Sequence, residues 1–84
     1  MSDFNKMLLK ISERREKGRM VYGDEIMDEP YEYYYWMIRN KLQRFDILSK
    51  KPREYNAELR DTVLDLAVYA VCLMAKVEDE DRTL

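Results

Sequence analysis

The sequence predicts an all-α fold of three helices in a single small domain. Only two Gly and two Pro interrupt the 84 residues, and long segments repeat apolar residues every three or four positions. No segment of useful length alternates apolar and polar residues as a half-buried strand does, and no internal repeat is present. A domain of this size buries a modest share of its surface, so its stability as a lone chain is expected to be marginal.

The first helix is predicted over about residues 3–17, where one face carries Phe4, Met7, Leu8 and Ile11 at i, i+3, i+4 and i+7. Ser2 or Asp3 supplies a capping oxygen, and Gly18 is expected to end the helix. Residues 18–29 are predicted to form a loop. Its Tyr22-Gly23-Asp24 segment suits an ordinary turn and also a close approach of a ligand to the backbone, because glycine has no side chain.

The second and third helices are predicted over about residues 30–48 and 54–77. Pro30 suits a first helical position, and the broad apolar face of the second helix contains Tyr31, Tyr34, Tyr35, Met37, Ile38, Leu42, Phe45 and Leu48. Apolar residues cover about half the circumference of the third helix. This predicts contact with two helices of its own chain, or with one helix and a second subunit. The charged tail, residues 78–84, is expected to fray.

The composition restricts the classes of function. Hydrophobic residues make up 46% of the chain, which is much apolar surface for its size and predicts a homo-oligomer. The net charge of −2 lacks the basic excess typical of proteins that bind nucleic acid. There is no histidine, the single Cys72 cannot form an internal disulfide, and no apolar stretch predicts a membrane span or signal peptide. We therefore expect a cytoplasmic protein with no membrane partner.

Two carboxylates four residues apart, Asp61 and Asp65, stand within the apolar third helix. Residues at this spacing share one helix face, and Glu58 precedes them on the same strip while Tyr69 and Cys72 continue it. Paired carboxylates can hold Mg²⁺ together with a substrate phosphate. Acids on the solvated side of an amphipathic helix have the same pattern, so both interpretations stay open.

Lys41 lies at the centre of the apolar face of the second helix. An unpaired buried ammonium costs several kcal/mol, so Lys41 needs a carboxylate, a phosphate or room to extend toward solvent. Asn40 and Arg44 flank it and would complete a strip suited to phosphate. The alternatives are an ion pair with Asp61 or Asp65, or a lysine that reaches water at the edge of the core.

The second helix begins with five aromatic residues in six positions, from Tyr31 to Trp36. Consecutive residues point in different directions on a helix, so these rings cannot all face one partner. Tyr31, Tyr34 and Tyr35 belong to the predicted core face, whereas Tyr33 and Trp36 lie outside it. Rings outside the core face suit stacking on a base, and they equally suit a subunit contact.

Three segments occur in a characteristic order: KGRMVYGD at 17–24, IRNKLQRF at 38–45 and DTVLDLAVYA at 61–70. Their combination resembles the small phage and bacterial nucleotide modification associated domains, which are similar to the MazG-like all-α nucleoside triphosphate pyrophosphatases and dimeric dUTPases. The resemblance implies a helical dimer or larger assembly that binds a nucleotide between helices, with Mg²⁺ held by acids. Within it, Asp61 and Asp65 match the acids, Lys41 and Arg44 match the basic pair, and the Tyr22-Gly23-Asp24 segment matches the loop.

This chain departs from that pattern at Asn40, which stands where the motif has an acid, and at Gln43 in the same region. Amides bind Mg²⁺ weakly, and a two-metal cluster needs more carboxylates than these. We therefore predict a protein that holds a nucleotide or hydrolyses it weakly, with Tyr69 or Trp36 along the base or sugar. The alternative is a non-enzymatic interaction protein, such as a phage inhibitor whose aromatic surface docks on a host protein.

Overall fold

The computed structural model describes residues 2–23 and 25–83. Within these ranges the chain forms three α-helices, α1 (Asp3–Tyr22), α2 (Tyr31–Ser49) and α3 (Asn56–Thr83). A short 3₁₀ helix, Glu25–Asp28, lies between α1 and α2, and no strand occurs in the described ranges. The prediction of an all-α fold with three helices is confirmed.

Helix α1 continues past Gly18, where the sequence predicted its end. Its N-terminus is capped as expected, because the Asn5 N–H donates to the Ser2 hydroxyl at 3.2 Å. The turn that contains Gly18 is held by Arg19, whose guanidinium pairs with Glu16 at 2.6 Å. The helix ends instead at Gly23, which has a φ of 76° and donates its N–H to the Arg19 carbonyl at 2.7 Å. Only a residue without a Cβ adopts that backbone conformation readily.

The two glycines should respond to alanine in opposite directions. A Cβ added at Gly18 meets no atom within 4 Å, so Gly18→Ala should raise the free energy of unfolding by about 0.5–1 kcal/mol through better helix propensity. Gly23→Ala is the matched control and should destabilise the chain by about 1 kcal/mol or more, because its φ is positive. Urea denaturation followed by circular dichroism measures both changes. Equal shifts of the same sign would contradict this account of the helix end.

Helices α2 and α3 also differ from their predicted bounds. Pro30 is the residue that precedes α2 rather than its first helical residue. Helix α3 runs to Thr83, so most of the tail that was expected to fray is helical. A contact with α2 explains the difference: the Tyr31 hydroxyl donates to Glu80, and Lys76 pairs with Glu80 at 3.2 Å, one helical turn away. These bonds give the charged segment a tertiary partner that its sequence does not predict.

Helix α3 is the central element of the fold. Helix α2 packs along it, and α1 and the 3₁₀ helix contact it as well. Few of the side chains whose burial the structure describes are buried: Tyr34, Leu48, Thr62 and Cys72. The chain has a radius of gyration of 14.2 Å, whereas a compact domain of this length has about 12 Å. The subunit is therefore extended, with a thin core between α2 and α3.

Many large apolar side chains remain exposed, including Phe4, Tyr35, Leu42 and Met74. None of the helices in residues 2–23 and 25–83 has the length and apolar character needed to cross a lipid bilayer.

Candidate functional site

Asp65 joins all three α-helices through its carboxylate. Arg14 of α1 donates from Nη1 to Asp65 Oδ1 at 2.9 Å, and Lys41 of α2 places Nζ 3.4 Å from Asp65 Oδ2. The Asp65 side chain is 31% exposed, and that of Lys41 is 25% exposed. These partly buried charges are screened less by water than surface pairs are, so they hold the three helices in register.

Asp61 is in a different environment from Asp65, although the sequence places the two carboxylates in equivalent positions on one helix face. Its side chain is 70% exposed, and its ion-pair partner is Arg14, which donates from Nη2 at 3.0 Å. One guanidinium thus lies between the two carboxylates, in the place that a cation shared by both would take. In residues 2–23 and 25–83, no group of three or more acidic or cysteine side chains is placed to hold a metal ion. The acids fit an ion-pair network better than a magnesium site.

The ammonium group of Lys41 is paired with a carboxylate of its own chain. Of the alternatives that the sequence left open, the structure has the ion pair with Asp65. Asn40 and Arg44 are exposed on the outer side of α2. Of the predicted phosphate strip, Lys41 is thus engaged with Asp65, and the roles predicted for Asn40 and Arg44 stay predictions.

A cleft of about 580 Å³ opens beside Asp65, between α1, the 3₁₀ segment, α2 and α3. Its wall combines charged, aromatic and small residues: Arg14, Arg15, Gly18, Gly23, Ile26, Glu29, Tyr33, Asp65, Val68 and Tyr69. Small-molecule sites typically have volumes of about 300–1,000 Å³ and few polar groups. The volume of the cleft lies within this range, and its wall carries four charged side chains, Arg14, Arg15, Glu29 and Asp65.

Two tyrosine rings form the aromatic side of the cleft. Tyr33 and Tyr69 meet edge to face, with ring centroids 6.3 Å apart. Burial, followed by a hydrogen bond to Tyr33, raises the pKa of Tyr69 to about 12. The Tyr69 phenol is therefore neutral at physiological pH, and the two rings present flat, polar-edged surfaces to the cleft.

The back of the cleft is held by Tyr34, which is fully buried. Its hydroxyl donates to the Ile26 carbonyl of the 3₁₀ helix, and its ring meets Tyr33 edge to face at 5.6 Å. Burial raises the pKa of Tyr34 above its usual range. Gly23, from the predicted Tyr22-Gly23-Asp24 segment, lines the cleft. Asp24 and the side chain of Tyr22 lie outside the described residues, so their predicted roles stay predictions.

Arg15 connects the cleft to the core. Its guanidinium lies near enough to the buried thiol of Cys72 to influence its titration. Burial raises the pKa of this thiol, and Arg15 partly offsets that effect. The strip from Asp65 through Tyr69 to Cys72 therefore turns inward, and only its Asp61 end is a solvated helix face.

The sequence interpretation missed Arg14 and Arg15 as site residues, and it offered Tyr33 only as a ring that suits either stacking on a base or a subunit contact. The two arginines belong to a charged run, Glu13 to Lys17, that resembles any solvated helix end. Trp36, a predicted base-stacking residue, lies away from the cleft and is half-exposed. The Arg39 guanidinium sits 5.2 Å from its ring centroid, and Tyr35 contacts it edge to face at 5.4 Å.

Comparisons with protein-family models, with curated protein sequences and with solved structures give no match. The likeness to nucleotide modification associated domains therefore stands on the three sequence segments alone. Two of those segments meet at the ion-pair network, where Lys41 contacts Asp65.

Proposed function

We propose that this chain is a nucleotide-binding protein whose ligand occupies the cleft between α1, α2 and α3. The observation that supports this proposal most strongly is the pairing of two guanidinium groups, Arg14 and Arg15, with two phenol rings, Tyr33 and Tyr69, around one cleft. Guanidinium groups bind phosphate with paired N–H donors, and aromatic rings stack on a base.

The charges define where each part of the ligand lies. An arginine has five N–H donors, and Arg14 uses two of them for Asp61 and Asp65. The phosphate binds at the α1 side, near Arg14 and Arg15, and the base lies along Tyr33 and Tyr69. Asp65 and Glu29, at the wall of the cleft, repel further negative charge. This arrangement favours a ligand with few phosphates over a triphosphate.

We propose that the protein holds its nucleotide rather than hydrolysing it. Metal-assisted hydrolysis needs carboxylates that coordinate the ion, and both Asp61 and Asp65 are engaged with Arg14. A binder without turnover acts by lowering the free concentration of its ligand. If Mg²⁺ does bind here, it must displace the Arg14 guanidinium from the two carboxylates.

A thermal-shift screen of nucleoside mono-, di- and triphosphates, with and without Mg²⁺, tests the proposal. A ligand that binds only the folded state raises the melting temperature by mass action, and a concentration 100 times Kd stabilises by about 2.7 kcal/mol. For a domain of this size we expect a shift of several degrees with one class of nucleotide. Arg15→Gln should abolish the shift, whereas Lys17→Gln, which removes a charge from α1 outside the cleft, should preserve it.

Three outcomes would contradict parts of the proposal. The absence of a shift with any nucleotide would exclude nucleotide binding. A shift that survives Arg15→Gln but is lost in Lys41→Met would place the phosphate on α2. Release of inorganic phosphate that is lost in Asp61→Asn would make the protein an enzyme with a metal at these acids.

A second candidate function is that of an interaction protein that docks on a host protein. It is favoured by the exposed Trp36 and the Arg39 side chain stacked on it, since both residue types are enriched where protein surfaces meet. Recovery of one host protein by the wild-type chain, and its loss with Trp36→Ala, would support this function.

A further inference from the structure

Helix α1 docks on the rest of the chain through a stripe that is more ionic than apolar. Its partly covered residues are Ile11, Arg14, Arg15 and Gly18, at the i, i+3, i+4 and i+7 spacing of one helix face. Among the α1 residues whose side chains the structure describes, none is buried. A stripe with one large apolar side chain and two guanidinium groups gains less from the hydrophobic effect than a fully apolar stripe does.

The apolar residues at the start of α1 add little to this docking. Phe4 is 72% exposed, and Met7 and Leu8 are each 47% exposed. The sequence predicted these three residues, with Ile11, as the face that packs on the core. Because most of that face stays in contact with water, the N-terminal half of α1 is weakly attached.

Helices α2 and α3 are attached to each other in a different way. Tyr34 and Leu48 of α2 are buried, and so are Thr62 and Cys72 of α3. The Lys41–Asp65 ion pair adds to this apolar packing but does not replace it. The α2–α3 pair therefore has a hydrophobic core that salt does not screen, whereas the docking of α1 depends more on charge.

Arg14 joins α1 to α3 through two ion pairs. Its Nη1 donates to Asp65 at 2.9 Å, and its Nη2 donates to Asp61 at 3.0 Å. The Arg14 side chain is 36% exposed and that of Asp61 is 70% exposed, so water and dissolved ions reach both groups. Ion pairs in such positions weaken as the ionic strength rises.

The C-terminal end of α1 is fixed at a residue that can act as a hinge. Gly23 ends the helix with a φ of 76°, and the 3₁₀ helix that follows is held by the Tyr34 hydroxyl, which donates to the Ile26 carbonyl. A glycine absorbs changes of backbone angle at low cost. Arg14 lies nine residues before Gly23, about 13 Å along the helix axis. Helix α1 is thus anchored at one end and held near its middle by Arg14.

We infer that α1 is a salt-sensitive cover of the cleft. When the ion pairs of Arg14 with Asp61 and Asp65 break, α1 moves away about Gly23 while α2 and α3 stay packed. Arg14 and its neighbours on α1 form one wall of the cleft, so this motion opens the cleft on the α1 side. The inference concerns the wall and not the ligand, so it stands independently of nucleotide binding.

Native-state amide hydrogen exchange of the wild-type chain without nucleotide, at about 0.1 M and about 1 M NaCl and the same pH, tests the inference. The Debye length falls from about 10 Å to about 3 Å between these conditions. A released helix of 20 residues is only marginally helical alone, so opening exposes its amides to exchange. At high salt, the amides of residues 13–17 should exchange about three to ten times faster. Those of residues 38–42 and 66–70 should change by less than about twofold.

Arg14→Gln tests the cause of the salt response. This variant lacks both ion pairs to α3, so its α1 amides should exchange about ten times faster than those of the wild-type chain at low salt, with little further change at high salt. Lys17→Gln is the matched control, because it also replaces a cation of α1 with an amide but at an exposed position. Its exchange rates and their salt response should equal those of the wild-type chain.

Three results would overturn the inference. Equal acceleration of α1 and α2 amides by salt would show that the chain opens as one unit. Exchange in wild-type α1 that does not respond to salt would show that the ion pairs do not hold the cover. An Arg14→Gln variant whose α1 exchanges as slowly as that of the wild-type chain would show the same. The salt series uses the wild-type chain alone, so it decides the question even if Arg14→Gln fails to fold.

Discussion

Replacing Tyr34 with alanine is expected to lower the free energy of unfolding by about 3–5 kcal/mol, the usual cost of removing a large buried ring. Among the side chains that the structure describes, Tyr34 is the one large apolar group that is fully enclosed, and it joins α2 to the 3₁₀ helix through its bond to Ile26. Small domains are stable by only about 5–15 kcal/mol, so this variant should lose a large part of its stability. Urea denaturation followed by circular dichroism measures the loss.

Tyr34→Phe separates the ring from its hydroxyl. The ring contacts with Tyr33 remain, but the Ile26 carbonyl loses the donor of its hydrogen bond. A cost of about 1–2 kcal/mol is expected, smaller than that of alanine. The proposed nucleotide binding should weaken as well, because Ile26 and Gly23 line the cleft. If Tyr34→Ala costs less than about 1 kcal/mol, the 3₁₀ helix does not depend on this contact.

Asp65→Asn should destabilise the chain far more than the same change at Asp61. Asp65 neutralises both Arg14 and Lys41, and its loss leaves two partly buried cations without their shared anion. We expect a loss of about 1–3 kcal/mol, below the cost for fully buried pairs because these side chains are partly solvated. Chemical denaturation of the two variants under identical buffer conditions measures the difference.

Asp61→Asn is the control for that measurement, because it makes the same chemical change one helical turn away. Asp61 is largely exposed and pairs with Arg14 alone among the described residues, so we expect a change within about 0.5 kcal/mol. Equal losses at the two positions would contradict the three-helix network. Equal losses that appear only in the presence of Mg²⁺ would favour a metal held by both acids.

The helices themselves were predictable because each depends on short-range pattern. Apolar residues recur at helical spacing through all three segments, and the helix starts near Ser2 and Pro30 carry recognisable capping or first-turn residues. Helix ends were less predictable. The end at Gly23 rather than Gly18 depends on a positive φ, and the extension of α3 depends on Tyr31 contacting Glu80 across 49 residues of sequence.

The candidate site was predictable only in part, for the same physical reason. Periodicity identified Asp65, Lys41 and Tyr69 as unusual, since each places a polar group near an apolar helix face. It could not pair Lys41 with Asp65, because the pairing depends on how α2 packs against α3. It also could not select Arg14 and Arg15 from a charged run, since their roles depend on α1 crossing α3 near the two acids.

By itself, the amino-acid sequence determined that this chain is helical, because secondary structure follows from the spacing of apolar residues within a few turns. It also determined an excess of apolar surface, because composition does not depend on packing. Only the tertiary structure decided that Asp61 and Asp65 are unequal and that a cleft lies beside Asp65. Those properties arise from contacts between residues distant in the chain, whose distances are set by helix packing and not by local sequence.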